Sequence, residues 1–291
     1  MPKSLNITEK MVLGTAQFGM NYGIANRNGQ VHGDEIAMIL DLALQNGIDT
    51  LDTAKAYGNS EEAIGSYLSK RPEEKWYIIT KLSAEDGNLK KQYQESKERL
   101  GCAPWTILAH RVSDYLDETF CENLHALKKL HDVQKVGVSI YTVEDIQKVL
   151  SVMLPDIIQL PINILDTKLL RTGALSKLKD KNIEIHVRSV FLQGLFYLPE
   201  IEIVERFPQL QIDLNKLSSL AASQGLTLPE LSLLYVTSLP EVDKVVVGVE
   251  NASQLEAHFT TLAKTFDESI PQEILDIEFE DETVLNPVLW D

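Results

Sequence analysis

The chain has 291 residues, 44% of them hydrophobic, and a formal net charge of −16. That length and apolar share can build one large α/β barrel or two smaller domains. With no Pro/Gly/Ser-rich linker we expect a single domain over 1–291, while the charge argues against nucleic acid or an anionic membrane as partner.

Short apolar runs alternate with amphipathic stretches from one end to the other. Residues 11–15 read as a first strand and 34–45 as a helix ended by Gly47. A strand at 49–53 precedes a helix at 61–70, with Ser60 placed to cap it. Strands ending at Lys81 and His110 bracket a helix over 89–100, and a further helix covers 117–131. Lys135 to Ser139 is the fifth strand, followed by a helix that Thr142 caps with Glu144 and Asp145 in its first turn. Strands at 156–160 and 183–188 flank a helix inside 165–181. A long connection runs to about 212, helices follow near 213–223 and 228–239, and 245–247 is the eighth strand before a helix at 251–262. Eight alternations of short, continuously apolar strands with helices predict a (β/α)8 TIM barrel. A doubly wound sheet is the alternative, but no Gly-x-Gly-x-x-Gly follows the first strand.

No apolar run approaches the roughly 20 residues that span a bilayer, and residues 1–6 lack a signal-peptide core, so the expected location is cytoplasmic. Cys102 and Cys121 show no metal or redox spacing and read as inert thiols. His32, His125, His131 and His186 show no metal-ligand pairing, so no metal is expected. From Asp267 to Asp291 there are nine Asp/Glu and no Lys or Arg, which reads as a solvated acidic tail from about 265.

Asp52, Tyr57, Lys81 and His110 each fall at or just after the end of a predicted strand, the face on which barrel enzymes carry their chemistry. Residues 47–61 spell Gly-Ile-Asp-x-x-Asp-Thr-Ala-x-x-Tyr-Gly-x-Ser-Glu, and Lys81 and His110 follow in order. With these four the chain resembles the aldo-keto reductase superfamily over about 11–264. The segment 13–26 resembles a bacterial branch that often accompanies surface-sugar pathways. The resemblance implies an NAD(P)(H)-dependent reduction of an aldehyde or ketone, with a sugar-derived carbonyl as a candidate. Tyr57 is then the proton donor, Lys81 and Asp52 its tuning pair, and His110 the residue that orients the carbonyl. The chemistry agrees. A free Tyr has a pKa of about 10, and a neighbouring ammonium stabilises its phenolate.

The resemblance extends to a cofactor wall. Ser139 and Gln159 stand where the family contacts the nicotinamide carboxamide, although the family's next Asn is here Ile140. Arg188 and Ser189 replace the usual aromatic at the end of the seventh strand. Arg188 is open to two roles, stacking on a ring or pairing with an acid. Leu192 and Gly194 fall in the loop expected over the pyrophosphate, and Gly248, Glu250 and Gln254 in the adenosine-phosphate segment, where the family's later Asn is replaced by His258. For this chain the resemblance gives NADP(H) a small preference over NAD(H), although a carboxylate at Glu250 suits the ribose 2′-hydroxyl of NAD(H). A Schiff-base aldolase using Lys81, or a cofactor-sensing subunit without turnover, are the alternatives. The small-molecule substrate, the reaction direction and the oligomeric state are not legible in the residues.

Overall fold

Eight runs rich in Val, Ile and Leu form eight parallel strands that close on themselves in chain order. They are β1 (Met11–Gly14), β2 (Thr50–Asp52), β3 (Tyr77–Leu82), β4 (Thr106–Ala109), β5 (Lys135–Ser139), β6 (Ile157–Pro161), β7 (Glu184–Arg188) and β8 (Lys244–Gly248). β8 closes the ring against β1, from Met11 opposite Val245 to Gly14 opposite Gly248. The architecture is the predicted (β/α)8 barrel. The computed structural model describes residues 7–130, 132–267 and 269–290. The signal-peptide reading at 1–6, the helix end at His131 and the acids Glu268 and Asp291 fall outside them.

Period-two alternation along each strand divides the barrel interior into layers. Ile79, Leu108 and Ile157 form a buried cluster of their own, apart from the large core between strands and helices. Gly137 makes room for them. A Cβ there would lie 2.1 Å from Ile157 O and 2.9 Å from a Leu108 methyl. Two residues further along the same strands stand Lys81, His110, Ser139 and Gln159, all facing one cavity. The apolar plug below therefore fixes which side chains emerge above.

The outer helices start and stop largely where the sequence predicts. Asn88 caps Leu89–Leu100 through Lys91 N at 3.0 Å, and Gly101 ends it at φ 71°. Thr142 and Asp145 form a reciprocal capping box on Val143–Val152, and Asn251 caps Ala252–Leu262 through Gln254 N. The structure departs from expectation in four places. Ser60 is the first residue of Ser60–Leu68 and not its cap, because its hydroxyl is buried and donates to Thr15 O at 2.9 Å. The helix expected over 117–131 runs as Glu118–Leu127 with Asp117 as its cap, and an unexpected short helix, Val112–Leu116, precedes it. That inside 165–181 breaks at Gly173 (φ 65°) into Lys168–Arg171 and Ala174–Lys179. The long connection after β7 contains the helix Glu200–Arg206.

The acidic tail needs a fifth correction, since it is not simply solvated. Helices Ile270–Leu275 and Glu282–Leu285 bury Ile270, Ile274, Val284 and Leu285, and the Trp290 ring lies 5.2 Å from that of Phe207. Burial of four aliphatic side chains at about 1.5–3 kcal/mol each outweighs the preference of the interspersed acids for water. The acids keep their exposure, and Glu278 and Glu280 pair with Arg171.

Candidate active site

Lys81 is the hub. Its side chain is buried at 1% exposure, which an ammonium tolerates only with partners. Nζ donates to Asp52 Oδ1 at 2.5 Å and Thr53 O at 2.9 Å, and stands 3.5 Å from Tyr57 Oη. Burial works against the ammonium, but Asp52 and the Tyr57 oxygen more than offset it and hold the Lys81 pKa above the ordinary lysine value. The second oxygen of Asp52 accepts from Gln159 Nε2 at 2.8 Å, reaching across the barrel from β6 to β2.

Tyr57 comes from the loop after β2, and two glycines decide where that loop lies. Gly58 adopts φ 53°, and a Cβ on it would sit 2.1 Å from Gly19 O. A Cβ on Gly19 would sit 1.7 Å from Tyr57 O. Only a pair of bare backbones permits this approach. His110, just past β4, meets the Tyr57 ring edge-on with centroids 6.0 Å apart. Burial first, then the charges of Lys81 and Arg111, push the His110 imidazole down to about 4, so it is neutral at pH 7 and able to donate one hydrogen bond.

These four side chains form the floor of a cavity of about 650 Å³. Ser139, Gln159, Arg188, Ser189, Gly194, Gly248, Glu250 and Gln254 all line it. Leu192 does not. Its side chain is fully buried and its N–H is spent on Ser189 O at 2.9 Å, so the neighbouring Phe191, Gln193 and Gly194 form the wall. The backbone is left-handed at Ser189 (φ 60°), Leu192 (φ 46°), Gln193 (φ 52°) and Gly194 (φ 91°), a cost that tends to be retained at ligand-holding loops. Sequence reasoning missed Gln17 and Tyr22 after β1, and Tyr141 after β5, all cavity-lining. Nothing in their spacing singles them out. It also missed that the loop after β1 crosses the mouth. Ile24 N donates to Gln193 O at 2.9 Å, Arg27 meets Glu202 at 3.4 Å, and Asn28 donates to Glu250 at 3.4 Å.

The aldo/keto reductase family model matches residues 10–277. The chain belongs to this family. L-galactose dehydrogenase of Arabidopsis thaliana is 27% identical over 287 residues, covering 89% of this chain and 87% of that one. Among solved structures, an aldo-keto reductase from Bacillus halodurans in its holo form superposes with a TM-score of 0.73 at 20% identity, covering 92% of this chain and 91% of that chain. A glycerol dehydrogenase from Gluconobacter oxydans gives 0.72 at 18% identity, covering 96% and 93%. At such identities the structural likeness speaks for the fold. The family match makes this chain an NAD(P)H-dependent oxidoreductase of small-molecule carbonyls.

The walls of this aldo-keto reductase suit a nicotinamide dinucleotide on physical grounds. Gln159 Oε1 is buried without a hydrogen-bond partner, an acceptor awaiting a donor such as a carboxamide N–H. Gly14 and Gly248 lie side by side on β1 and β8, and a Cβ on Gly248 would come within 2.6 Å of Gln17 Oε1. The bare Gly248 backbone therefore makes room for the Gln17 amide at the cavity wall. Tyr22 is pushed up to about 12 by burial and remains a phenol at any working pH. Arg188 makes no ion pair with an acid among the described residues. Its guanidinium lies 4.2 Å over the Tyr141 ring, and it donates to Ser139 Oγ at 3.3 Å, Ser189 Oγ at 3.1 Å and Ile140 O at 3.1 Å. The described residues hold no group able to bind a metal ion, and no helix among them is long and apolar enough to cross a membrane.

Proposed function

We propose that this chain reduces a polyhydroxylated, sugar-derived aldehyde or ketone, with Tyr57 as the proton donor. The observation that carries the reading is the Lys81 ammonium held between Asp52 Oδ1 and Tyr57 Oη beneath an open cavity. When bound, the reduced dinucleotide supplies the hydride to the carbonyl carbon. Neutral His110 donates a hydrogen bond to the carbonyl oxygen and fixes its direction. Tyr57 Oη gives its proton to that oxygen as the alcohol forms, and Lys81 stabilises the phenolate left behind. Asp52 keeps Lys81 charged, and Gln159 keeps Asp52 aimed. The sugar class is supported by a relative whose name specifies L-galactose. It is also supported by polar side chains, Gln17, Tyr22, Asn26 and Gln193, in the cavity wall.

For the dinucleotide, the small preference for NADP(H) that the resemblance gives meets Glu250 at the cavity rim, where Asn28 is its hydrogen-bond partner. A carboxylate there accepts from a 2′-hydroxyl and repels a 2′-phosphate, so we assign NAD(H). The test is turnover with a panel of sugar aldehydes alongside calorimetric titration with NADH and NADPH. Tyr57→Phe is expected to lower kcat about 10³-fold while leaving nucleotide affinity unchanged. Full activity in that variant would remove Tyr57 from the chemistry.

A further inference from the structure

Arg188 is a cation that the proposed proton transfer does not use. Lys81, the other cation at the cavity floor, is neutralised by Asp52 at 2.5 Å. Arg188 instead has only neutral partners, the Ser139 and Ser189 hydroxyls, the Ile140 carbonyl and the Tyr141 ring. Three hydrogen bonds and a stack leave the guanidinium little freedom, so its charge is fixed in place as well as uncompensated. Its field extends to the buried Asp166, which burial and Glu282 push up to about 7, so that acid offers only part of a countercharge at neutral pH.

Position gives the charge a meaning. In a closed ring of eight strands in chain order, β7 lies four places from β3, so Arg188 stands across the cavity from Lys81. Arg188 also donates to Ser139 Oγ at 3.3 Å, and Ser139 is one of the residues proposed to meet the nicotinamide carboxamide, so the guanidinium lies beside the place proposed for the ring. The nicotinamide ring is neutral when reduced and carries a positive charge when oxidised. A fixed cation in a partly dehydrated cavity therefore repels one redox form and not the other.

We infer that Arg188, braced on Tyr141, makes the site discriminate between redox states, holding the reduced dinucleotide more tightly than the oxidised one. This rests on the reductase reading of the site. The device would speed release of the oxidised product after each turnover, and it would place the equilibrium between bound forms on the side of the reduced cofactor.

The experiment is calorimetric titration of the intact protein with NADH and NAD⁺, repeated on Arg188→Gln and Arg188→Lys. The native protein is expected to bind NADH about tenfold or more tighter than NAD⁺. In Arg188→Gln the two affinities should converge to within about threefold, chiefly through tighter NAD⁺ binding, and Arg188→Lys, which keeps the charge and loses the brace on Tyr141, should keep part of the preference. A native protein that binds both forms equally, or an unchanged ratio in Arg188→Gln, overturns the inference. Should Arg188→Gln bind neither form, Arg188→Lys decides, and loss of the preference there overturns it as well. A native protein that binds no pyridine nucleotide, NADPH and NADP⁺ included, is a different failure, because it removes the proposed function itself.

Discussion

The four residues at the cavity floor, proposed to carry the chemistry, were legible because each combines an unusual chemistry with a strand end. Asp52 and Tyr57 share one fifteen-residue segment, and Lys81 and His110 terminate apolar runs that could only be strands. The bond between Gln159 and Asp52 was not legible. The two lie 107 positions apart, and only closure of the barrel brings β6 across to β2. Gln159 was expected to face a ligand, yet its amide nitrogen is committed to Asp52 and only its oxygen remains free. Leu192 failed for a local reason, since a left-handed backbone at φ 46° turns it into the core. Glu250 is the residue where a single charge should decide a preference. Glu250→Arg is expected to move the protein from NADH toward NADPH by at least about tenfold, or roughly 1.4 kcal/mol. Titrating both nucleotides against both proteins checks it, and an unchanged ratio would show that the 2′-position lies elsewhere.

At the scale of elements, strands and helices followed from burial and caps, while the loops that shape the cavity did not. Composition marks a strand as apolar on both faces, but says nothing of how the loop after β1 lies over the mouth. Ser60 is instructive. Its residue type and position fit an N-cap, and burial against Thr15 and Thr53 gave it a different task, tying two strand ends together. The contact of Gly19 with Gly58 belongs to the same scale, because it sets the height of the whole Tyr57 loop. Gly58→Ala adds strain at φ 53° and drives a methyl into Gly19 O. It is expected to lower stability by roughly 1–3 kcal/mol and kcat by at least about tenfold, since a displacement near 1 Å costs that much or more. Nucleotide affinity should stay within about twofold, because the proposed cofactor wall is built from β5 to β8. Urea unfolding with steady-state kinetics separates the effects, and an unaltered kcat would mean the loop position is not set here.

Over the whole molecule, His110 and His258 stand out because burial holds them neutral. His110 and His258 are each pushed down to about 4 by burial, and His258 stacks on Phe191 with centroids 5.1 Å apart. Since a free histidine titrates near 6.5, these two sites bind more protons in the unfolded chain than in the folded one between about pH 6.5 and 4. Their contribution to stability therefore falls as pH drops through that window, while Asp166, held up at about 7 by burial and Glu282, works in the opposite direction. Each histidine contributes a loss of roughly 2 kcal/mol by pH 5. Replacing His258 by Phe keeps a ring against Phe191 and should remove about half of this loss. Urea midpoints at pH 7 and pH 5 would show it, and equal pH sensitivity in both proteins would place the acid lability in other groups.

The layered interior carries a consequence for how such a molecule can fail. Lys81, His110, Ser139 and Gln159 reach the cavity because Ile79, Leu108, Gly137 and Ile157 occupy the layer two residues below. A slip of one residue in any strand would turn its functional side chain outward among the helices and push an aliphatic one into the cavity. In an open sheet an edge strand could make that slip alone. Here every strand has two neighbours, so an error in one is a misfit to both and opens the ring. Preparations of this protein should therefore contain molecules that are fully competent or not folded at all, with no fraction that is folded but mistuned.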